Sequence, residues 1–148
     1  MKNGLKFLSL VILVCLLIAI REIIAPYLYD PLASYFKTDY LHEPVPSINL
    51  GLLLANILVR YVLNGAVSIA IIYVLFKNVK LVWFSFKIYT LAFIFFGLCL
   101  ITILKFNGGN NYLLLFYVRR FLIQPILVLL LIPAFYLQKL KNDENFKN

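Results

Sequence analysis

The sequence predicts an all-α integral membrane protein: a four-helix bundle with both termini cytoplasmic and a short external interfacial segment between helices 1 and 2. Three observations predict it. The chain of 148 residues is 64% hydrophobic and 14% charged, whereas soluble domains run nearer half apolar and a quarter charged. Four apolar stretches reach the roughly 20 residues that a helix needs to cross a bilayer. Basic residues gather at alternate connections, as membrane topology signals do. The net charge of +8 therefore points to orientation in a membrane and not to nucleic acid.

The first stretch, 5–25, follows Lys2 and Lys6 and is interrupted late by Arg21 and Glu22. No small-x-small cleavage site follows, so it reads as an uncleaved anchor and not a signal peptide. The second, 48–76, carries a single charge at Arg60, and the third, 81–104, has Lys87 near its start. The fourth, 112–137, contains Arg119 and Arg120, with Pro125 and Pro133 as expected kinks. These runs are long and continuous, which argues against strands. Gly51 with Ala55, Ala66 with Ala70, and Gly97 are small residues expected where helices approach closely.

Lys2, Lys6, Lys77, Lys80, Lys139, Lys141 and Lys147 mark the cytoplasmic side. The first connection holds Asp30, Asp39 and Glu43 against Lys37, and the third is a turn built on Asn107, Gly108, Gly109, Asn110 and Asn111. Asp30 before Pro31 has the form of an N-cap with proline at the first helical position. Leu28, Leu32, Tyr35 and Phe36 then share a face, which predicts a short helix on the outer membrane surface. An irregular loop pinned by Tyr27, Tyr29, Tyr35 and Tyr40 is the alternative. Pro44 and Pro46 stop any helix before the second span.

The arginines carry the most information. An ionisable side chain at the bilayer centre costs at least about 2.5–3.5 kcal/mol. At about 1.5 Å per residue, Arg60 stands roughly 25 Å above Lys77, Arg120 roughly 28 Å above Lys139, and Arg21 roughly 22 Å above Lys6. All three, with Glu22, fall in one outer layer of a core about 30 Å thick. Asn56, Arg60, Asn64 and Ser68 follow at steps of four, a stripe expected to face the bundle interior or a partner. Arg120 and Gln124 make another such step, while Arg119 and Arg120, about 100° apart, must diverge. Pro125 frees the carbonyl of Phe121, for which an arginine or Gln124 is a candidate donor.

No carboxylate occurs from position 44 to 142. Arg60, Arg119 and Arg120 must therefore pair with Glu22, with acids of the first connection such as Asp30, with lipid phosphate, or with another molecule. Arg21, Glu22 and Asp30 are the internal ion-pair candidates. Arg60, Asn56, Asn64, Ser68, Arg119, Arg120 and Gln124 are the candidates for a partner or anionic ligand, since arginine suits bidentate carboxylate and phosphate recognition.

Little points to catalysis, and no cofactor is expected. Cys15 and Cys99 fall in mid-span, where thiols are inert. His42, the single histidine, sits in the first connection beside Glu43. No phosphate loop, HExxH or CxxC occurs, and no metal site is expected.

Three segments carry a family resemblance. They are Arg119-Arg120-Phe121-Leu122-Ile123-Gln124-Pro125 with the later Ile132-Pro133-Ala134-Phe135-Tyr136, Arg60-Tyr61-Val62-Leu63-Asn64 with Ser68, and Arg21-Glu22 with Tyr29-Asp30-Pro31. Together they resemble the exosortase F system-associated membrane proteins of flavobacteria and relatives, from the first span to Gln138. The resemblance implies a small protein of the bacterial inner membrane beside a multi-span exosortase, an enzyme that recognises C-terminal sorting signals. It supplies no catalytic residues, and the exosortase cysteine–arginine–histidine set is not reproduced. The expectation is a non-catalytic accessory or scaffold subunit meeting that enzyme or its substrates through the polar faces of spans two and four. The alternative is an oligomeric small-solute or lipid-handling membrane protein.

Overall fold

The computed structural model describes residues 2–37, 47–106 and 112–145, and all regular structure in them is helical. Three helices are long and apolar enough to cross a membrane, and a fourth span exists where a bent helix pair counts as one. The chain thus has the helices of a multi-pass membrane protein. Asp39, Tyr40, His42, Glu43, Pro44 and Pro46, the turn 107–111, and Lys147 lie outside the described residues.

Helix α1 (Lys2–Ala19) gives way to a π-helical turn (Ile20–Ile24) and a 3-10 turn (Ala25–Tyr27). Pro26, without an N–H, fits the end of the α-helical pattern there. Helix α2 (Pro31–Tyr35) starts as its sequence dictates: the Asp30 side chain accepts the Ala33 N–H and proline opens the first turn. Its setting differs from the expected membrane-surface helix. Leu32 is fully buried and Tyr35 nearly so, packed against Leu53 and Ile57 and against Leu115. The apolar face meets protein and not lipid, because the ends of the long helices leave an apolar concavity that this one turn fills.

Helix α3 (Leu50–Phe76) is capped by Asn49, whose side chain accepts the Leu52 N–H at 3.2 Å. It is the hub of the fold, contacting α1, α4 (Val79–Phe106), α5 (Tyr112–Ile123) and α6 (Ile126–Asn145). It is also the most buried of the long apolar helices, whereas α1 is almost wholly exposed and packs chiefly on α3. Two cores lie along α3. One gathers α2 with Leu100 of α4 and Leu122 of α5, and the other gathers Ile71 and Ile72 with Tyr89, Val128 and Phe135. Lys6 donates to the Leu75 carbonyl at 2.9 Å, which sets α1 antiparallel to α3.

Close approach of α3 and α4 is made at Gly65, where an added Cβ would lie 3.3 Å from the Tyr89 ring. Several of the small residues expected to serve this purpose do not. Gly51, Ala55 and Ala66 are exposed, and a Cβ on Gly97 would meet nothing within 4 Å. A small residue permits close packing only where a neighbour is present, and the tertiary arrangement decides that.

The expected fourth span is two helices, α5 and α6, bent by 65° at Gln124–Pro125. Pro125 removes one helical hydrogen bond and its ring clashes with the carbonyl four residues back. The Ile126 N–H turns to the Gln124 carbonyl at 2.8 Å instead of continuing the ladder. Pro133, by contrast, sits inside α6 without breaking it.

The α3–α4 connection is only Lys77 and Asn78. Lys77 takes a left-handed conformation, φ 50°, with its N–H on the Tyr73 carbonyl at 2.8 Å. Asn78 then accepts the Lys80 N–H at 2.9 Å and starts α4. A side chain in that conformation is strained and glycine is not. Lys77→Gly is expected to raise stability by about 0.5–1 kcal/mol, measured as a higher unfolding midpoint in detergent. A lower midpoint would mean that the Lys77 side chain contributes more than its backbone strain costs.

Candidate functional site

Four elements converge where the sequence places the arginine layer: the segment before α2, α3, α5 and the α5–α6 break. Asp30 stands at the centre, its side chain only 4% exposed. Its Oδ2 accepts Arg60 Nη1 at 2.8 Å and Arg119 Nη2 at 2.5 Å. Its Oδ1 accepts Arg119 Nε at 3.2 Å and the Ala33 N–H at 3.2 Å. Arg119 therefore grips both oxygens as a fork, the strong geometry for a guanidinium and a carboxylate. Arg60 also donates to the Leu28 carbonyl at 3.4 Å. The Arg119 guanidinium lies 6.0 Å from the Phe36 ring centre, within reach of a cation–π contact. Phe36 in turn meets Phe116 edge to face.

This cluster joins three positions that sequence reasoning left with several possible partners. Between the described candidates Asp30 and Glu22, it is Asp30 that takes Arg60. Glu22 stands 3.5 Å from its neighbour Arg21, both side chains largely exposed. Arg119 and Arg120 diverge: Arg119 turns inward to Asp30, and the exposed Arg120 donates to Gln124 Oε1 at 2.9 Å. Asp30 thus carries two guanidiniums.

The polar stripe of α3 serves three neighbours: the segment before α2, α5 and α4. Asn56 accepts the Tyr29 N–H at 3.2 Å and donates to the Leu52 carbonyl at 2.7 Å. Arg60 holds Asp30. Asn64 donates to the Ile123 carbonyl at 2.8 Å. The donor at the proline break is thus Asn64 from another helix, and the acceptor is Ile123, in place of the expected arginine or Gln124 on Phe121. Ser68 is fully buried beside Tyr89; its Oγ and the Tyr89 hydroxyl lie near each other and the Val128 carbonyl without closing a hydrogen bond of good geometry.

Sequence reasoning missed two contributors. Tyr61 donates to the Tyr89 carbonyl at 2.6 Å, tying α3 to α4. Phe36 stands over Arg119. Tyr61 directly follows Arg60, a weak signal that its hydroxyl falls near the same level. Cys15 is exposed on α1 and Cys99 half-buried on α4. Among the described residues no three His, Cys, Asp or Glu side chains gather as a metal site would require.

Beside the cluster lies a cleft of about 340 Å³, bounded by the end of α1, by Arg60 and Asn64 of α3, and by the α5–α6 break. Arg21 and Gln124 stand at its lining, with Leu17 and Leu129 as apolar wall. No protein-family model, curated protein or solved structure matches the chain.

Two outcomes follow from the geometry. Asp30→Asn leaves two buried guanidiniums without their carboxylate and is expected to cost about 3–5 kcal/mol, read from unfolding in detergent. Adding Arg60→Met and Arg119→Met should recover most of that loss, because an apolar replacement carries no desolvation penalty. A triple variant no better than Asp30→Asn would show that the cluster is not limited by its unpaired charge. Asn64→Leu strips the Ile123 carbonyl of its donor. It is expected to cost about 1–3 kcal/mol and to speed hydrogen exchange at Gln124 and Ile126, while unchanged exchange would mean that another donor replaces Asn64.

Proposed function

We propose that this chain is a non-catalytic accessory or scaffold subunit of an exosortase-type protein-sorting system. It spans the bacterial cytoplasmic membrane as a four-helix bundle with both termini cytoplasmic. The observation that carries the reading is the division of labour among the arginines. Arg60 and Arg119 share Asp30 inside the protein, whereas Arg21 and Arg120 stay exposed. The inner pair builds a rigid outer end, and the exposed pair offers cationic side chains to carboxylates of a neighbouring enzyme or of its substrate.

This reading narrows the partner surface. Asn56, Arg60, Asn64 and Arg119 are occupied by contacts within the chain. Ser68 is buried. The surface for a partner is therefore formed by Arg120 and Gln124 of the break and by Arg21. A scaffold role fits an arrangement in which polar side chains lock helices together. The family resemblance of the Arg119–Pro125 stretch supplies the class of partner.

Mild-detergent purification of the tagged chain, with mass spectrometry of what accompanies it, tests the proposal. Recovery of an exosortase-type enzyme or its sorted substrates is expected, and Arg21→Gln with Arg120→Gln should lower it about tenfold, as loss of two charge-assisted contacts would. Recovery of the chain by itself as a uniform oligomer would overturn the accessory role. Undiminished recovery of the enzyme with the double variant would overturn the assigned surface.

A further inference from the structure

We propose that the Gln124–Pro125 break is a hinge, latched by Asn64, about which the first turn of α6 moves into the cleft toward α1. The inference stands on packing and hydrogen bonds and does not rest on the exosortase reading.

The two arms of the bent pair are anchored separately. The buried side chains of α5, Leu115, Val118 and Leu122, pack in one core, and those of α6, Val128, Leu131 and Phe135, pack in the other. Ring contacts hold each arm in its own place. Phe121 of α5 stacks on Phe96 of α4 with ring centres 4.9 Å apart, and Phe135 of α6 meets Phe76 and Phe84 edge to face. Close-packed cores take up discrete arrangements and do not deform continuously. Relative motion of the arms therefore falls on the backbone between them, as in hinges where a few positions at element ends absorb the dihedral change.

That backbone carries few cross-links. Pro125 has no N–H to give, and the Ile126 N–H turns to the Gln124 carbonyl at 2.8 Å. Arg120 donates to Gln124 Oε1 at 2.9 Å, a contact that ends within the break itself. Among the described residues, the bond from Asn64 to the Ile123 carbonyl at 2.8 Å is the one that ties the break to another helix. Room for motion lies on one side. The cleft of about 340 Å³ is lined by residues 123–126 and Leu129 and by Leu17, Ile18 and Arg21 at the end of α1, whereas the buried side of α6 rests on α3 and α4. Arg21 and Gln124 belong to different walls of the cleft, so the hinge sets the spacing of two side chains assigned above to the partner surface.

Double electron–electron resonance on the full chain in detergent tests the hinge. Spin labels are placed at Leu113→Cys and Leu137→Cys, exposed on α5 and α6, in a background carrying Cys15→Ala and Cys99→Ala. A control pair at Tyr73→Cys and Leu98→Cys, also exposed, reports α3 against α4. One dominant distance is expected for the α5–α6 pair in that background. Asn64→Leu should raise a second population about tenfold, the worth of one hydrogen bond, and leave the control pair unchanged. Asn64→Ala, which removes the donor without adding bulk, should do the same. Pro125→Ala restores the N–H and removes the ring clash, so its addition to either Asn64 variant should return a single population. Distances in both Asn64 variants identical to the background, equal broadening of the control pair in both, or a second population that survives Pro125→Ala would overturn the proposal.

Discussion

One carboxylate holding two guanidiniums is the constraint on which one end of this helical bundle depends. Arg60 comes from α3 and Arg119 from α5, and Asp30 stands in the segment between α1 and α3. An arginine placed within a span is costly unless it reaches water, lipid phosphate or a counter-ion. Here Asp30 binds both. The same Asp30 also caps α2, so folding of that one turn and closure of the bundle are coupled. Once α2 is formed, Leu32 and Tyr35 close the apolar concavity below it. Electrostatics, capping and packing therefore support one arrangement, and removal of Asp30 would undo all three.

The second organising feature is the stripe on α3. Residues four apart advance 400°, so each step drifts about 40° around the helix. A straight stripe would serve one neighbour. The drift lets Asn56 hold the backbone before α2, Arg60 the aspartate, Asn64 the end of α5, and Ser68 face Tyr89 of α4. α3 thereby becomes the hub of the fold. Its polar atoms meet other backbones and side chains, as atoms away from water must.

The break at Gln124–Pro125 gives the molecule its asymmetry. α5 has 12 residues, roughly 18 Å of helix, too short to cross a core about 30 Å thick by itself. The chain turns, α6 packs on the deeper half of α3, and α1 is left exposed along most of its length. An irregular backbone at membrane depth survives where protein satisfies it, and the Asn64 contact to Ile123 does that. The arrangement leaves a cleft lined by Arg21, Arg60, Asn64 and Gln124.

The sequence by itself determined the helical class, the number of apolar stretches, the cap at Asp30–Pro31, the divergence of Arg119 and Arg120, and the stripe on α3. These follow from length, local chemistry and helical period, which need no neighbour. Only the tertiary structure decided that Asp30 and not Glu22 receives Arg60. Three further outcomes needed it as well: the turn after Pro31 faces protein instead of lipid, Gly65 is the point of close approach, and Pro125 folds the fourth stretch into two. Glu22 and Asp30 are eight positions apart in one charge-poor region, and the identity of the residues favours neither. The choice lies in the direction the chain takes after Ala19, where a widened turn leaves Glu22 facing outward and carries Asp30 over the end of α3. Pairing depends on distance in space, and that is set by the packing of all the helices at once.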